Sequence, residues 1–190
     1  MDKKQLNDEL DSIFTNLKNE LLYFHDKDPE YAKAMMDWFK EVSTKNKIIH
    51  TSKEENRDKE MARRRRSKVY YIDFGVNVGS EFNYPHFGVV IAEHTYTAVV
   101  IPLSSKKDKD ENNWKQDERS PVIEIGEVSG FPYESKECYA LIGQIKTISK
   151  QRLSDYRTED KEFVKLSLSS DQMDIIGVQP TKREMLARPL

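Results

Sequence analysis

The stretch VYYIDFGVNVGSEFNYPHFGVVIAEHTYTAVVIPLSS, residues 69–105, decides the fold. It contains three apolar runs rich in β-branched and aromatic residues, which predict consecutive strands at 69–74, 87–92 and 97–103. Glycine, asparagine and proline separate the first two runs, as in a loop. Four polar residues stand at or near the predicted strand ends: Glu81, His86, Ser104 and Ser105. Because such positions hold side chains on a stiff frame, we expect a functional site in this segment.

The rest of the C-terminal part predicts further short elements. Strands are expected at 121–125, 139–145 and 163–168. Ser169 or Ser170 caps a predicted terminal helix at 171–178, which Pro180 ends and whose inner face is Met173, Ile175 and Ile176. The polar residues 106–119 are expected to form a long, mobile hairpin loop. Five or more short strands with small helices indicate a mainly β fold, a strongly bent sheet or a barrel.

The N-terminal part predicts a helical hairpin. An apolar stripe at spacings of three and four predicts a first helix ending near 26–28; its members are Leu6, Leu10, Ile13, Leu17, Leu21 and Phe24. Asp28 and Pro29 suit the first two positions of a second helix. The expected apolar face of that helix is Tyr31, Met35, Trp38, Phe39 and Val42. The charged residues 44–68, ending in four arginines, fit a solvated helix or linker better than a phosphate grip. We therefore expect a hairpin and linker over 1–66 and a β domain over 67–190.

Charge and cysteine content limit the possible functions. The net charge is −2 overall, split into +2 for residues 1–68 and −4 for the remainder, so a polyanion would need a local basic groove. Cys138 is the single cysteine, which excludes an intramolecular disulfide. With no secretory signal pattern and no apolar run of membrane-span length, we expect a cytoplasmic protein that does not use a membrane.

The residues permit acid–base chemistry better than metal or cofactor chemistry. The four histidines form no HExxH arrangement, no acidic spacing matches a calcium loop, and no P-loop is present, so neither a metal nor a cofactor is expected. His86 remains as an acid–base group because imidazole titrates near neutrality. Taken singly, these residues fit structural roles better than functional ones: His86 as a structural histidine at a turn, Ser104 and Ser105 as a polar strand end, and Glu81 as an ordinary turn residue.

Five motifs resemble the PemK/MazF toxins of bacterial toxin–antitoxin systems. In chain order they are VYYIDFG (69–75), NVGSE (77–81), HFGVVI (86–91), VIPLSS (100–105) and GQIKTISKQRL (143–153). Order and spacing agree, and the last motif is close to the family's Gln-Ile-Arg-Thr-Ile-Asp-Lys-x-Arg-Leu. The resemblance covers 69 to about 178 and leaves 1–68 outside. It implies an SH3-like β-barrel with short helices, a homodimer, a cognate antitoxin, and metal-independent cleavage of single-stranded RNA through a 2′,3′-cyclic phosphate.

The resemblance also implies roles for individual residues. His86 aligns with the family's usual catalytic arginine, and Ser104 with its catalytic serine or threonine. Histidine can transfer a proton but lacks the fixed charge and forked donors of arginine. The missing charge is expected from Lys106, Lys107 or Arg152. Supporting or RNA-binding roles are predicted for Glu81, Ser105, Gln144, Phe82, Tyr84 and the turn at 131–133.

Two other functions fit the same sequence. The first is a non-catalytic binding protein, a growth inhibitor or a module for nucleic acid or protein, built on the same barrel, since fold does not determine function. The second places the function in the N-terminal hairpin as an interaction or oligomerisation module.

Overall fold

The computed structural model describes residues 2–51, 66–106, 121–132 and 137–184, with side chains up to Gly177 in the last range. The chain divides into two compact units, Met1–Lys53 and Glu54–Leu190. The helices are α1 (Lys3–Lys27), α2 (Pro29–Thr51) and α3 (Ser170–Glu184). The strands are β1 (Lys68–Asp73), β2 (Pro85–Glu93), β3 (Thr97–Ser105), β4 (Ile123–Glu127), β5 (Glu137–Ala140), β6 (Lys146–Ser149), β7 (Leu153–Ser154) and β8 (Leu166–Ser167). Residues 107–119 of the expected loop and the first three arginines of the run at 63–66 lie outside the described residues.

The predicted helical hairpin is confirmed, and both helix starts are capped. The Asp2 carboxylate accepts the backbone N–H of Lys4 at 2.8 Å and of Gln5 at 2.9 Å, while the Gln5 side chain accepts the Asp2 N–H. At the connection, the Asp28 carboxylate accepts the Tyr31 N–H at 2.9 Å, with Pro29 at the first helical position. These caps satisfy amides that would otherwise have no partner inside the helix.

The apolar faces of the hairpin are only partly covered. Ala32 is the one residue of the described range 2–51 that is fully buried. Leu17, Leu21 and Phe24 of the predicted stripe are half-buried, whereas its N-terminal members are exposed. Phe39, expected on the inner face of α2, is also exposed, so that expectation is wrong. Two packed helices bury only a narrow strip of each other's surface, so much of each wide apolar stripe stays exposed to solvent.

The second unit confirms the mainly β fold. Its described strands form one antiparallel sheet in the order β4–β5–β3–β2–β1–β7, with β6 paired to β3 and β8 paired to β1. The strands predicted at 69–74, 87–92 and 97–103 occur within two residues of their expected ends. The described strands do not close on themselves, so the expected barrel is a bent, open sheet here.

The outer edge of β3 is shared by two strands. Residues Thr97 to Val100 pair with β6, and Leu103 to Ser105 pair with β5. Pro102 lies at the changeover, and its carbonyl accepts the Leu141 N–H at 2.9 Å. The N–H and C=O of one strand residue point toward the same edge of the strand. The N–H that Pro102 lacks would therefore point into the gap between β6 and β5. A proline is therefore tolerated inside this central strand.

The strand predicted at 139–145 is wrong in its second half. The β5 strand ends at Ala140, a 3₁₀ turn follows at Ile142–Gln144, and β6 then begins. The Gly143 N–H binds the Pro121 carbonyl at 3.0 Å, and a Cβ on Gly143 would lie 2.5 Å from Pro121 Cγ. The chain bends here because Gly143 fits against Pro121 and because β5 and β6 pair with different parts of β3. The strand predicted at 163–168 is likewise reduced to β8, preceded by a bridge between Phe163 and Arg157.

The terminal helix begins as predicted and ends later. Ser169 is the cap: its hydroxyl accepts the Gln172 N–H at 3.2 Å, and the Gln172 side chain accepts the Ser169 N–H at 2.9 Å. Met173 and Ile176 are buried, but Ile175 is exposed, so its expected inward position is wrong. The helix continues through Pro180 to Glu184, so the expected stop is also wrong. A proline removes one amide donor and bends a helix, and it does not always end it.

We expect Gly88→Ala to destabilise the β unit and Gly177→Ala to stabilise it. A Cβ on Gly88 would lie 2.7 Å from Ile72 Cδ1 and 3.3 Å from the Ile101 carbonyl oxygen, so the core must shift at a cost of about 1–3 kcal/mol. Gly177 has open space around its Cβ position within α3, and alanine there gains about 0.5–1 kcal/mol. Urea denaturation of both variants measures the two free energies of unfolding. A Gly88→Ala protein as stable as the wild type would contradict this packing.

Candidate active site

The loop between β1 and β2, residues 75–84, is closed at its base by two backbone hydrogen bonds; we call it the site loop. The Tyr84 N–H binds the Gly75 carbonyl at 2.8 Å, and the Phe74 N–H binds the Tyr84 carbonyl at 3.3 Å. Gly75 and Tyr84 both have left-handed backbone angles, with φ of 82° and 65°. Tyrosine is strained in that region, so the surrounding contacts must hold it there. The loop therefore has one defined shape at its base.

Two asparagines brace the interior of the site loop. The Asn83 side-chain oxygen accepts the Asn77 N–H at 2.7 Å. The Asn77 side chain in turn donates to the carbonyls of Phe74 at 3.0 Å and Phe82 at 2.8 Å. Side-chain amides can satisfy backbone groups that no neighbouring strand reaches. The loop thus carries its own hydrogen-bond network without regular secondary structure.

Gln144 holds the site loop from the 3₁₀ turn. Its side-chain oxygen accepts the Phe82 N–H at 3.2 Å, and its side-chain nitrogen donates to the Ser80 carbonyl at 3.3 Å. The contact joins residues 62 positions apart in the chain. Gln144 therefore acts on the shape of the loop, through its backbone.

Two cations complete the attachment of the loop. Lys146 Nζ lies 3.1 Å from the Glu81 carboxylate and 3.5 Å from the Phe82 carbonyl. Arg152 donates from Nη2 to the Phe74 carbonyl at 3.0 Å. Glu81 is largely exposed, and ion pairs of that kind contribute about 0–1 kcal/mol, so their main effect is to orient the loop.

The ring of Phe82 connects His86 with the core. It packs edge-on against Phe74 at 5.1 Å between ring centroids and lies against His86 at 4.6 Å. His86 pairs with Ile72 at the start of β2 and is half-buried. Desolvation by this burial lowers the pKa of His86 below its ordinary value of 6.5. At neutral pH the imidazole is therefore neutral and able to accept a proton.

Ser104 lies at the same end of the sheet as His86. The pairing of β2 with β3 ends with Gly88 opposite Pro102. His86 lies two residues before Gly88, and Ser104 lies two residues after Pro102. Strand alternation puts both side chains on the face shared by these two pairing residues. Ser104 pairs with Tyr139, whose buried cluster also contacts Phe82. Phe82 thus packs against His86 and against the buried cluster that contains Tyr139.

The end of β3 continues into a carboxylate-rich patch. Ser105 pairs with Cys138 of β5. Lys106 Nζ lies 3.0 Å from the Glu124 carboxylate and 3.1 Å from that of Glu137. Hydrogen bonds to Glu124 and then Glu137 raise the pKa of Lys106, which keeps the amine charged. Its charge is already compensated by these two partners.

Comparison with known families identifies the β unit. Residues 65–177 match the family described as PemK-like, MazF-like toxin of type II toxin-antitoxin system. The chain belongs to this family. The resemblance drawn from the five motifs is thereby confirmed, and the helical hairpin lies outside the matched PemK-like region. No curated protein matches the chain.

The PemK-like region contains all nine predicted site residues, and they divide into two groups. The site loop and its contacts bring together Glu81, Phe82, His86, Gln144 and Arg152. The end of β3 contains Ser104, Ser105 and Lys106, and Tyr84 lies at the base of the loop with its side chain exposed. Phe82, which fits base stacking and a core role equally well from the sequence, packs against two buried clusters. Lys107 and part of the turn at 131–133 lie outside the described residues.

Sequence reasoning missed three residues that shape this site. Asn77, Asn83 and Lys146 hold the loop, whereas the anchors among the predicted residues are Gln144 and Arg152. The spacing of Gln144 and Lys146 was an available signal, because residues two apart in an extended segment lie on one side. Asparagines in a glycine-rich loop give no comparable signal, since turns use them frequently for their backbone angles.

Two further findings concern metals and membranes. No three histidine, cysteine, aspartate or glutamate residues come together as a metal site among the described residues. None of the described helices has the length and apolar composition to span a bilayer.

We expect Gln144→Met to loosen the site loop while leaving the fold intact. Methionine has similar length but cannot replace either hydrogen bond, so the Phe82 amide should lose about 1 kcal/mol of protection, or about fivefold in exchange rate. Amide hydrogen exchange followed by NMR measures this rate. The Gly75 amide, bonded to the Asp73 carboxylate at 2.8 Å, serves as the internal control and should not change. Unchanged exchange at Phe82 would contradict the proposed attachment.

We expect His86 to titrate below pH 6.5 in the folded protein, as measured by NMR of the imidazole nitrogens. The lowered pKa means that the unfolded chain binds this proton more readily. The contribution of His86 to stability is therefore present above pH 6.5 and is lost as the pH falls through the lowered pKa. Phe82→Ser should admit water and move the titration back toward 6.5. A midpoint above 6.5 in the wild type would refute the burial argument.

Proposed function

We propose that this protein is an endoribonuclease toxin that cleaves single-stranded RNA in the cytoplasm, without a metal or cofactor, and is neutralised by a cognate antitoxin. The homodimer typical of such toxins is part of the proposal. Its main support is the half-buried His86, held against the Phe82 ring at the end of the sheet where Ser104 also lies. Membership of the PemK-like family supplies the reaction class.

The proposed reaction is an internal transesterification of RNA. Neutral His86 accepts the proton of a ribose 2′-hydroxyl, and the 2′-oxygen attacks the adjacent phosphorus. The bond from phosphorus to the 5′-oxygen breaks, and the imidazolium returns the proton to that oxygen. One P–O bond forms as another breaks, which gives a 2′,3′-cyclic phosphate and a 5′-hydroxyl. A lowered pKa favours the proton-accepting form at neutral pH, as a general base requires.

Other residues would support this step at the phosphate and at the loop. The Ser104 hydroxyl would donate a hydrogen bond to a phosphate oxygen as negative charge develops there. Gln144 would keep the site loop in position beside His86 through its two hydrogen bonds. Lys146 would add positive charge next to the loop while remaining paired with Glu81. The requirement for a 2′-hydroxyl separates RNA from DNA as substrate.

A second candidate is a protein that binds RNA or another target without cutting it. The ion pairs count against cleavage, because Lys106 and Lys146 are both engaged by carboxylates and are less available to stabilise charge on a phosphate. Histidine in place of arginine also removes the forked donors that suit a phosphate. Under this alternative the same groove would bind its target, and His86 would only contribute to its shape.

An RNA cleavage assay distinguishes the two candidates. Purified protein is incubated with single-stranded RNA in excess chelator, and the products are examined for cyclic phosphate ends. We expect His86→Ala to lower the rate at least about 100-fold, the usual contribution of a general acid or base. Ser104→Ala should also reduce the rate. His94→Ala is the matched control, since His94 is exposed in the turn between β2 and β3 and should leave the rate unchanged.

The pH profile provides a second readout of the same residue. Cleavage by the wild type should fall as the pH drops through the lowered pKa of His86, because the protonated ring cannot accept a proton. In His86→Arg, which introduces the family's usual residue, that acidic limb should disappear. Folded wild-type protein that leaves RNA intact, or an alanine variant as active as the wild type, would sink the nuclease proposal. Retained RNA binding in that case would support the binding function.

A further inference from the structure

Helix α1 has an apolar ridge that the hairpin leaves exposed. Residues four apart along a helix form a continuous ridge, and here they are Leu6, Leu10, Phe14, Lys18 and Leu22. We call this row the α1 ridge. The exposed fractions of Phe14 and Leu22 are 61% and 51%, and Leu6 and Leu10 are close to 40%. Every member except Lys18 is apolar, so burial of the ridge against another surface would be favourable through the hydrophobic effect.

A groove lies beside the C-terminal half of the ridge, with a volume of about 700 Å³. Leucines of α1 together with Ala32 and Met36 of α2 give it an apolar lining. Its ionisable lining residues are Lys18, His25 and Lys33, and no carboxylate lines it. Lys33 is paired with Asp37 of its own helix. The groove therefore fits an apolar helix face that carries negative charge near Lys18.

The N-terminal half of α1 is such a face. It carries Leu6 and Leu10 of the ridge, with Glu9 and Asp11 beside them. The α1 ridge is also symmetric about its centre. If two α1 helices pack antiparallel with Phe14 on the two-fold axis, Asp11 of one copy faces Lys18 of the second copy.

We propose that two copies of this chain associate through their α1 ridges, antiparallel about a two-fold axis at Phe14, to form a four-helix bundle. The self-complementary ridge is what an isologous contact requires, because the same patch serves both copies. Bundles of four helices enclose a core that two helices cannot. The contact would also cover the exposed Phe14 and Leu22. This inference uses only the hairpin and is independent of the proposed nuclease activity.

Disulfide formation in the full-length chain tests the geometry. The natural Cys138 is fully buried, and burial raises the pKa of its thiol to about 12. We therefore expect Cys138 to take no part in the cross-linking. A cysteine on a two-fold axis meets its own counterpart, so Phe14→Cys should form disulfide-linked dimers under mild oxidation. Tyr23→Cys is the matched control, because Tyr23 is an equally exposed aromatic residue of α1, at 61%, that lies off the ridge. We expect at least tenfold faster dimer formation at position 14.

Exchanging charges in the Phe14→Cys protein tests whether a second copy of the chain occupies the groove. With Phe14→Cys present, Asp11→Lys and Lys18→Asp should each slow cross-linking at least fivefold, since every dimer would contain this ion pair twice. Combining them should restore the rate. Equal rates for Phe14→Cys and Tyr23→Cys would overturn the proposal, as would charge variants without effect. A linkage formed only with an added acidic peptide carrying its own cysteine would assign the groove to a different partner and would also overturn it.

Discussion

The divided outer edge of β3 is the constraint on which the rest of the β unit depends. One strand cannot keep two neighbours along the same length, so β5 and β6 separate where Pro102 interrupts the row of donors. The connection between them must turn sharply, and Gly143 makes that turn possible against Pro121. Gln144 and Lys146 emerge from this turn and reach the site loop. The division of this edge therefore places both Gln144 and Lys146 beside the site loop.

The same arrangement explains why the cations of the site are already paired with acceptors of the protein. Within the described part of the chain, the three cations at the loop and the end of β3 each meet an acceptor already in place: a carboxylate for Lys146 and Lys106, and a carbonyl for Arg152. Paired cations keep their position but attract a polyanion less strongly. The proposed binding of RNA would then rely on displacement of the exposed Glu81 and on shape. In this setting a neutral, desolvated His86 costs less to place than an unpaired arginine.

The sequence was informative where the pattern was local and ambiguous where distant segments met. The apolar runs of β1 to β3, rich in β-branched and aromatic residues, and the Asp28–Pro29 cap are short-range signals, and the structure follows them. The break at Ile142–Gln144 depends on Pro121 and on β3, neither of which is a neighbour in sequence. Family motifs located the site loop, but local pattern could not show that Asn77 and Asn83 brace it or that Phe82 faces the core. The positions of these side chains depend on contacts with residues that are distant in the sequence.

The distances in sequence between the site loop and its anchors have a consequence for biosynthesis. Gln144 contacts Phe82 across 62 residues, and Arg152 contacts Phe74 across 78. While the ribosome is still adding the residues before 144, β1 to β3 can pair, but the loop between β1 and β2 has neither anchor. Closing such long segments is slow and comes after local pairing. The candidate active site can therefore be completed only after residues 144 and 152 have been added to the nascent chain.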